Sequence, residues 1–412
     1  MPHPIEHDKQ PADRQQEAEP PKRGVSRRTV LAGIGIGAAA VVVAGGAGVG
    51  VRSAVNGVWD SGQGSPYELW DGWKHEKGLR GIVAAGVLAA NPHNTQAWLF
   101  RAEGSTIEVL SDPTRRMPAG DASFREHFAG LGCATENMVI AARARGRVPA
   151  VDYFPDGETS PVVARIVLTD GASAASELYR VIGDRHSNRG RYRDRAVPAD
   201  VLSALSDQAA GLEGAGIHWL TSAEEKKSMG ALLIDAAKET VADTAESREG
   251  FAWFRNNRAD IDRHRDGLTL DGQELGGFTL FMAKVLPAES RTDGAAFWLT
   301  QTREVHTATA AAYGVITVPD VADRTRQVQG GRLVERAHLA ATAHGLGFQH
   351  LNQITERIDR DRSLGARDRF SGRLGALIGA PASTALLAFR VGYPAGSAMR
   401  SPRRALADVL VH

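Results

Sequence analysis

Apolar and polar positions change their period several times along this chain, and each change marks an element. Leu69, Trp70 and Trp73 have a helix-compatible spacing, and Gly81 to Ala90 reads as a helix. Asn91-Pro92 ends it, because proline disfavours the helical state at the residue before it. Trp98 to Arg101 and Thr106 to Leu110 alternate and predict two strands. Phe124 to Arg145 carries Phe128, Leu131, Met138 and Ile140 and predicts a long core helix, with a strand at Val163 to Leu168. A second series follows: a helix from Pro198 to Leu205, a strand at Ile217 to Leu220 and a helix from Lys226 to Val241. A strand at Ala311 to Thr317, a helix from Gln327 to Gly345 and a strand at Ala385 to Val391 complete it. Between them, Glu249 to Asp293 is long, polar and irregular, and breaks the rhythm. The pattern predicts an α+β protein of two tandem units, residues 67–170 and 171–412, with 249–293 as a candidate lid. No sequence repeat is strong enough to establish the duplication.

The first residues do not share this patterning. Residues 1 to 25 are polar and cannot bury enough surface to fold alone. Ser26-Arg27-Arg28-Thr29-Val30-Leu31, followed by an uncharged Gly/Ala-rich run to Val51, resembles a twin-arginine export signal. Residues 1–52 are therefore assigned to such a signal, with the twin-arginine translocase as partner and an extracytoplasmic destination. The alternatives are an uncleaved N-terminal membrane anchor, since the run approaches the ~20 residues needed to span, and a cytoplasmic protein. Residues 53–66 are Gly/Ser-rich and read as a linker.

Composition narrows the chemistry. Lys+Arg 49 against Asp+Glu 48 leaves a net charge of +1, which argues against a nucleic-acid partner. Cys133 is the only cysteine, so no intrachain disulfide can form, and its neighbours Leu131, Gly132 and Ala134 suit a buried structural role. His338, His344 and His350 recur at a spacing of six that does not share a helix face, so no metal site is expected. Glycine-rich matches within the first 50 residues follow no strand, which rejects a Rossmann reading.

Two fragments carry candidate chemistry. Asn91-Pro92-His93-Asn94-Thr95-Gln96-Ala97-Trp98 places side-chain amides, which donate and accept at once, on a turn after a helix. In Arg185-His186-Ser187-Asn188-Arg189 the residues Arg185, Ser187 and Arg189 alternate, so an extended backbone points them to one side, where two guanidiniums and a hydroxyl suit a phosphate. Arg191, Arg193 and Arg195 follow at once, and a solvated basic turn is the competing reading. Two further pieces are Gly345-Leu346-Gly347-Phe348 and Arg400-Ser401-Pro402-Arg403-Arg404.

Together these residues resemble the FMN-dependent nitroreductase family, over roughly residues 67 to 412, and in particular its two-unit actinobacterial branch known from dormancy-associated mycobacterial members. The first fragment is similar to the family's Ser-x-x-Asn-x-Gln-Pro-Trp loop, with Asn91 in place of Ser and Ala97 in place of Pro. The resemblance implies an FMN site formed by Asn91, Pro92, His93, Asn94, Gln96, Arg185, His186, Ser187, Arg189, Gly347, Phe348, Arg403 and Arg404. It implies a nitroreductase-like fold and an NAD(P)H-driven two-electron reduction of nitroaromatic or quinone-like acceptors, with no catalytic side chain. In the family the flavin lies between two subunits. Here the loop sits in the first unit and the basic stretch in the second, so the expectation is an intrachain pseudo-dimer with one FMN. An FMN-binding or storage protein with a covered flavin is the alternative, and a structural protein that has lost the flavin is a third.

Overall fold

The computed structural model describes residues 52–53 and 55–411. The twin-arginine signal and the anchor alternative fall on residues 1–51, outside the described residues. Among the described residues no helix is long and apolar enough to cross a membrane.

The first half contains helix α1 (Gly78–Val87), strands β1 (Trp98–Glu103) and β2 (Thr106–Ser111), helix α2 (Arg125–Ala144), and strands β3 (Arg147–Tyr153) and β4 (Val162–Asp170). The strands form one antiparallel sheet of order β1-β2-β4-β3. The second half runs α3 (Ala199–Ser206), β5 (Gly216–Leu220) and α4 (Ala223–Ala242), then α5 (Thr244–Ala252), β6 (Phe254–Arg255), α6 (Arg258–His264), β7 (Leu268–Thr269), α7 (Gly277–Val285) and α8 (Arg291–Gln301). It finishes with β8 (Ala312–Thr317), α9 (Arg324–Ala343), β9 (Gly347–His350), α10 (Gln353–Ser363), α11 (Ser371–Ile378) and β10 (Ala385–Gly392). Its sheet has the order β5-β8-β10-β9 and is also antiparallel. With β1, β2, β3 and β4 matched to β5, β8, β9 and β10, the two strand orders are the same.

Local chemistry sets the ends of the two long helices. Asp121 accepts the Glu126 and His127 N–H groups at 3.2 and 2.8 Å, and Asp323 accepts that of Arg326 at 3.1 Å. Both caps satisfy donors that a helix start leaves unpaired. Gly146 and Gly345 follow the helix ends with φ of +73° and +69°, the left-handed stop that glycine adopts without strain.

Helices α2 and α9 are each 20 residues long and begin 199 positions apart, at Arg125 and Arg324. Their crossing is reciprocal. A Cβ on Gly132 would lie 2.1 Å from the Val328 carbonyl oxygen, and one on Gly331 would lie 2.0 Å from that of Ala129. Under the same offset Gly132 corresponds to Gly331 and Ala129 to Val328, so each helix presents the same backbone patch to the other, as in a two-fold contact. One apolar core continues through the crossing and includes Leu131, Cys133, Val328 and Leu333.

Two sequence expectations change. Strand β3 was not predicted, because Pro149 interrupts it. It is an edge strand, where proline is tolerated. The stretch 249–293 is not irregular but largely helical, spanning the end of α5, all of α6 and α7 and the start of α8. Side-chain caps from Asp243, Asn257 and Ser290 start three of these helices. The Gly/Ser-rich stretch before Tyr67 docks on this segment: Lys284 Nζ donates to the Gly57 carbonyl at 3.0 Å and to Ser61 at 2.8 Å, and pairs with Asp271 at 2.7 Å.

The glycine crossing gives the first prediction. Gly331→Ala lowers stability by about 1–3 kcal/mol through overpacking against a backbone that cannot withdraw, read as a shift in the denaturant midpoint. Gly72→Ala, where the backbone is helical and a Cβ meets nothing within 4 Å, is expected to leave the midpoint unchanged or raise it. Equal effects at the two sites contradict the crossing.

Candidate functional site

The Asn91–Gln96 loop has a strained backbone that its neighbours hold in place. His93, Asn94 and Gln96 have φ of +47°, +54° and +50°, the left-handed region that non-glycine residues seldom adopt. Asn91 Oδ1 accepts the Gln96 N–H at 2.8 Å, so the asparagine braces the turn. Asn94 Nδ2 donates to the carbonyls of Gly267 at 3.1 Å and Pro402 at 3.0 Å. Gln96 Nε2 donates to the Arg265 carbonyl at 2.8 Å, and Gln96 Oε1 accepts the Arg404 N–H at 2.9 Å. Arg403 also donates to Asn94 Oδ1. The loop is thus clamped between residues 402–404 and 265–267.

The basic stretch lies extended against β9. Ser187 forms a bridge with Phe348, and the Asn188 N–H donates to the Phe348 carbonyl at 2.9 Å. Arg185 is buried, donating to the Leu88 carbonyl at 2.6 Å and facing Glu335 at 3.3 Å. Arg403 is buried beside it and reaches the Leu88 and Ala89 carbonyls, both at 3.3 Å. Both guanidiniums stand over the Trp70 ring, at 5.9 and 4.7 Å. Burial and the neighbouring Arg185 push the Arg403 guanidinium well below its ordinary pKa, while burial raises that of Glu335. Two cations therefore share one carboxylate.

These pieces border a cavity of about 330 Å³ between the halves, within the ~300–1,000 Å³ usual for small-molecule sites. Of the residues singled out from sequence, Asn91, Pro92, His93, Ser187 and Arg189 line it. Arg185, Asn94, Gln96, Arg403 and Arg404 lie behind this wall in the contacts just given. His186 packs edge-on against Trp70 at 4.6 Å. Phe348 stacks between His338 and Phe389, and a Cβ on Gly347 would lie 2.8 Å from the Tyr192 ring. Gly347 and Phe348 therefore serve packing at this point. Segment 249–293 contributes Phe251, Phe254, Leu268, Leu270 and Gln273 to the wall. Gln353 reaches the cavity from α10, and so do Glu356 of α10 and Glu126 of α2, which sequence reasoning missed. No local motif marks them. Cys133 also borders it, with Sγ donating to the Gly331 carbonyl at 3.2 Å and a thiol pushed well up by burial.

The cavity wall carries polar atoms with no hydrogen-bond partner among the described residues: His350 Nε2, Gln353 Nε2 and Glu126 Oε1. Buried polar atoms are normally paired, so these fit a polar ligand. Among the described residues no His/Cys/Asp/Glu group could hold a metal ion. The histidines here are neutral: burial, then Arg189, takes His93 down to about 4, and burial, then Arg185 and Arg189, takes His350 down to about 3.

No family model matches the chain. It is 27% identical over 179 residues to a Mycobacterium tuberculosis (H37Rv) protein named "Putative NAD(P)H nitroreductase", covering 42% of this chain and 50% of that protein. It is 31% identical over 78 residues to "Putative NAD(P)H nitroreductase acg" of the same organism, covering 19% of this chain and 24% of that protein. The chain thus spans half or less of the curated relatives it matches. Among solved structures, it aligns with the FMN-dependent nitroreductase NfnB from Mycobacterium smegmatis in complex with NADPH at 17% identity and a TM-score of 0.38, over 57% of this chain and 97% of that one. A nitroreductase with bound FMN from Bacteroides fragilis aligns at 16% identity and a TM-score of 0.34, over 57% and 98%.

A prediction follows from the two arginines facing these imidazoles. In an NMR titration His93 and His350 stay neutral from pH 8 down to pH 5, because depressed pKa values place their protonation below that window. An inflection near 6.5 for either ring contradicts the burial and charge described.

Proposed function

We propose that the chain is an FMN-dependent oxidoreductase of the nitroreductase type, drawing electrons from NAD(P)H to reduce nitroaromatic or quinone-like acceptors. The observation that carries this reading is the meeting of Asn91–His93 from one half with Ser187 and Arg189 from the other on one cavity. The resemblance to the family's two flavin-contacting fragments and the similarity to proteins named as NAD(P)H nitroreductases support it.

The residues fit the cofactor. The unpartnered His350 Nε2 suits the polar edge of a flavin. Ser187 and Arg189 suit its hydroxyls and phosphate. The excess positive charge of Arg185 and Arg403 over Glu335 is what a bound phosphate would balance. FMN, when bound, supplies the two-electron redox chemistry. The chain's own residues bind it, shape the space above it and limit access of water.

The same observations support reading the chain as an intrachain pseudo-dimer with one flavin site. The position equivalent to Glu335 is Glu136, which pairs with Arg332 and Arg336 at 2.5 and 2.6 Å. Arg336 also donates to the Gln208 and Ala210 carbonyls at 3.0 and 2.9 Å. The second cavity, lined by these groups, has its guanidiniums committed to protein partners. The export reading of residues 1–52 is part of the proposal and rests on sequence alone.

A second reading has its own observation. Segment 249–293 walls the cavity and donates or accepts at the loop through Arg265 and Gly267. A covered flavin of this kind suits an FMN-holding protein with little turnover.

The experiment is anaerobic addition of NADPH to the FMN-loaded chain. Bleaching of the visible flavin bands is the expected result. A yellow protein bleached by dithionite but not by NADPH favours the holding role, and a protein that cannot be loaded with FMN removes both. Arg189→Ala is expected to weaken FMN binding at least about 10-fold, since a charge-assisted hydrogen bond contributes ~1.5–3 kcal/mol.

A further inference from the structure

The cavity wall also carries two carboxyls that face each other. Glu126 sits in the first turn of α2 and Glu356 in the first turn of α10, and both line the cavity. The Glu126 and Glu356 carboxyls interact at the cavity wall, and the Asn352 side chain lines it beside them. Two buried carboxylates that interact disfavour double ionisation, so the pair favours holding a proton. Among the described residues the neighbouring cations Arg125 and Arg357 are held by other carboxylates. Arg125 is held by Asp359 at 2.5 Å, and Arg357 is held by Glu246 and Asp361. Of the remaining groups that face the pair, Glu246 of α5 and Asp359 of α10 add negative charge, while Asp121 before α2, pushed up to about 8 by burial and by Glu126, adds its own only above that pH. Burial raises the pKa of both carboxyls, and Glu126 adds to the rise at Glu356.

An independent group beside them points to a ligand. Gln353 is 3% exposed, lines the cavity, and its Nε2 has no partner among the described residues. Glu126 is 6% exposed and its Oε1 is likewise unpartnered. Gln353 opens α10, an 11-residue helix whose N-terminal end is the positive end of its dipole. An amide N–H, a shared carboxyl proton and a helix N-terminus together form a set of donors. Phe251, Phe297 and Trp298 supply flat apolar surface to the same cavity.

We propose that Gln353 and the Glu126–Glu356 pair are the polar anchor for an aromatic acceptor, receiving its nitro or carbonyl oxygen while the aromatic residues hold its ring. This rests on the oxidoreductase reading for the identity of the acceptor, and it adds the residues that select it. The anchor works only while the pair holds its proton. Once the second carboxyl ionises, two negative charges face the oxygen and repel it.

Calorimetric titration of the FMN-loaded, oxidised full chain with nitrobenzene, without NAD(P)H, tests this between pH 6 and 10. Affinity is expected to fall as pH rises through the pair's titration. Glu356→Gln keeps a neutral donor and is expected to remove that dependence. Gln353→Leu is expected to weaken binding roughly five-fold, the effect of one neutral hydrogen bond. Both variants should keep the parent's FMN content, which shows that they fold. Cumene, of similar shape without the oxygens, should bind alike in all three proteins at every pH. The proposal is overturned by a nitrobenzene affinity that does not change with pH, by a slope that survives in Glu356→Gln, or by an unaltered affinity in Gln353→Leu. Tighter binding of benzylamine than of nitrobenzene, strengthening as pH rises, also overturns it by making the site a cation site. These affinities decide the anchor whether or not NADPH bleaches the flavin, so its failure is distinct from failure of the oxidoreductase reading.

Discussion

The close backbone approach of α2 and α9 at Gly132 and Gly331 is the constraint on which the rest of the molecule depends. Without side chains at those points, each helix reaches the other's carbonyl surface. That approach fixes the relation of the two sheets. It also delivers polar side chains from each helix to the other half. Glu335 of α9 accepts the Ala90 N–H at 3.0 Å, just before the strained loop, while Arg125 of α2 donates to the Ala385 carbonyl at 2.8 Å. A looser crossing would withdraw both contacts and release the loop from the basic stretch.

The crossing is nearly symmetric, but the chemistry around it is not. Glu136 and Glu335 occupy matching positions, yet Glu136 meets two arginines of the facing helix, while Glu335 meets Arg185, with Arg403 close by. A carboxylate matched by two cations in a closed network favours no further anion. Two buried cations that share one carboxylate, itself biased towards its neutral form, leave charge for an anion to balance. The same helix pair can thus close one side and leave the other suited to a ligand.

Much of this was legible in local pattern. The alternation at Trp98 to Arg101 and Thr106 to Leu110 and the apolar spacing of both long helices correspond to observed elements, while the helix expected to run from Gly81 to Ala90 spans Gly78–Val87 and ends before Asn91-Pro92. The two chemical fragments border the same cavity although some 90 residues separate them. What could not be read depends on long-range contact. Arg185 alternates with Ser187 and Arg189, but the Leu88 carbonyl and Glu335 draw it behind the wall. Glu126 and Glu356 are 230 positions apart and belong to no motif. The helices between Thr244 and Gln301 are only 7 to 11 residues long, so each offers too few turns for a clear apolar period.

The central claim is that the two halves build one flavin site between them. Quantitative extraction of FMN from the saturated, purified chain measures it directly. The account expects one FMN per chain. Two would mean that the Glu136–Arg332–Arg336 network does not close the second side, and none would mean that the cavity between the halves is not a flavin site.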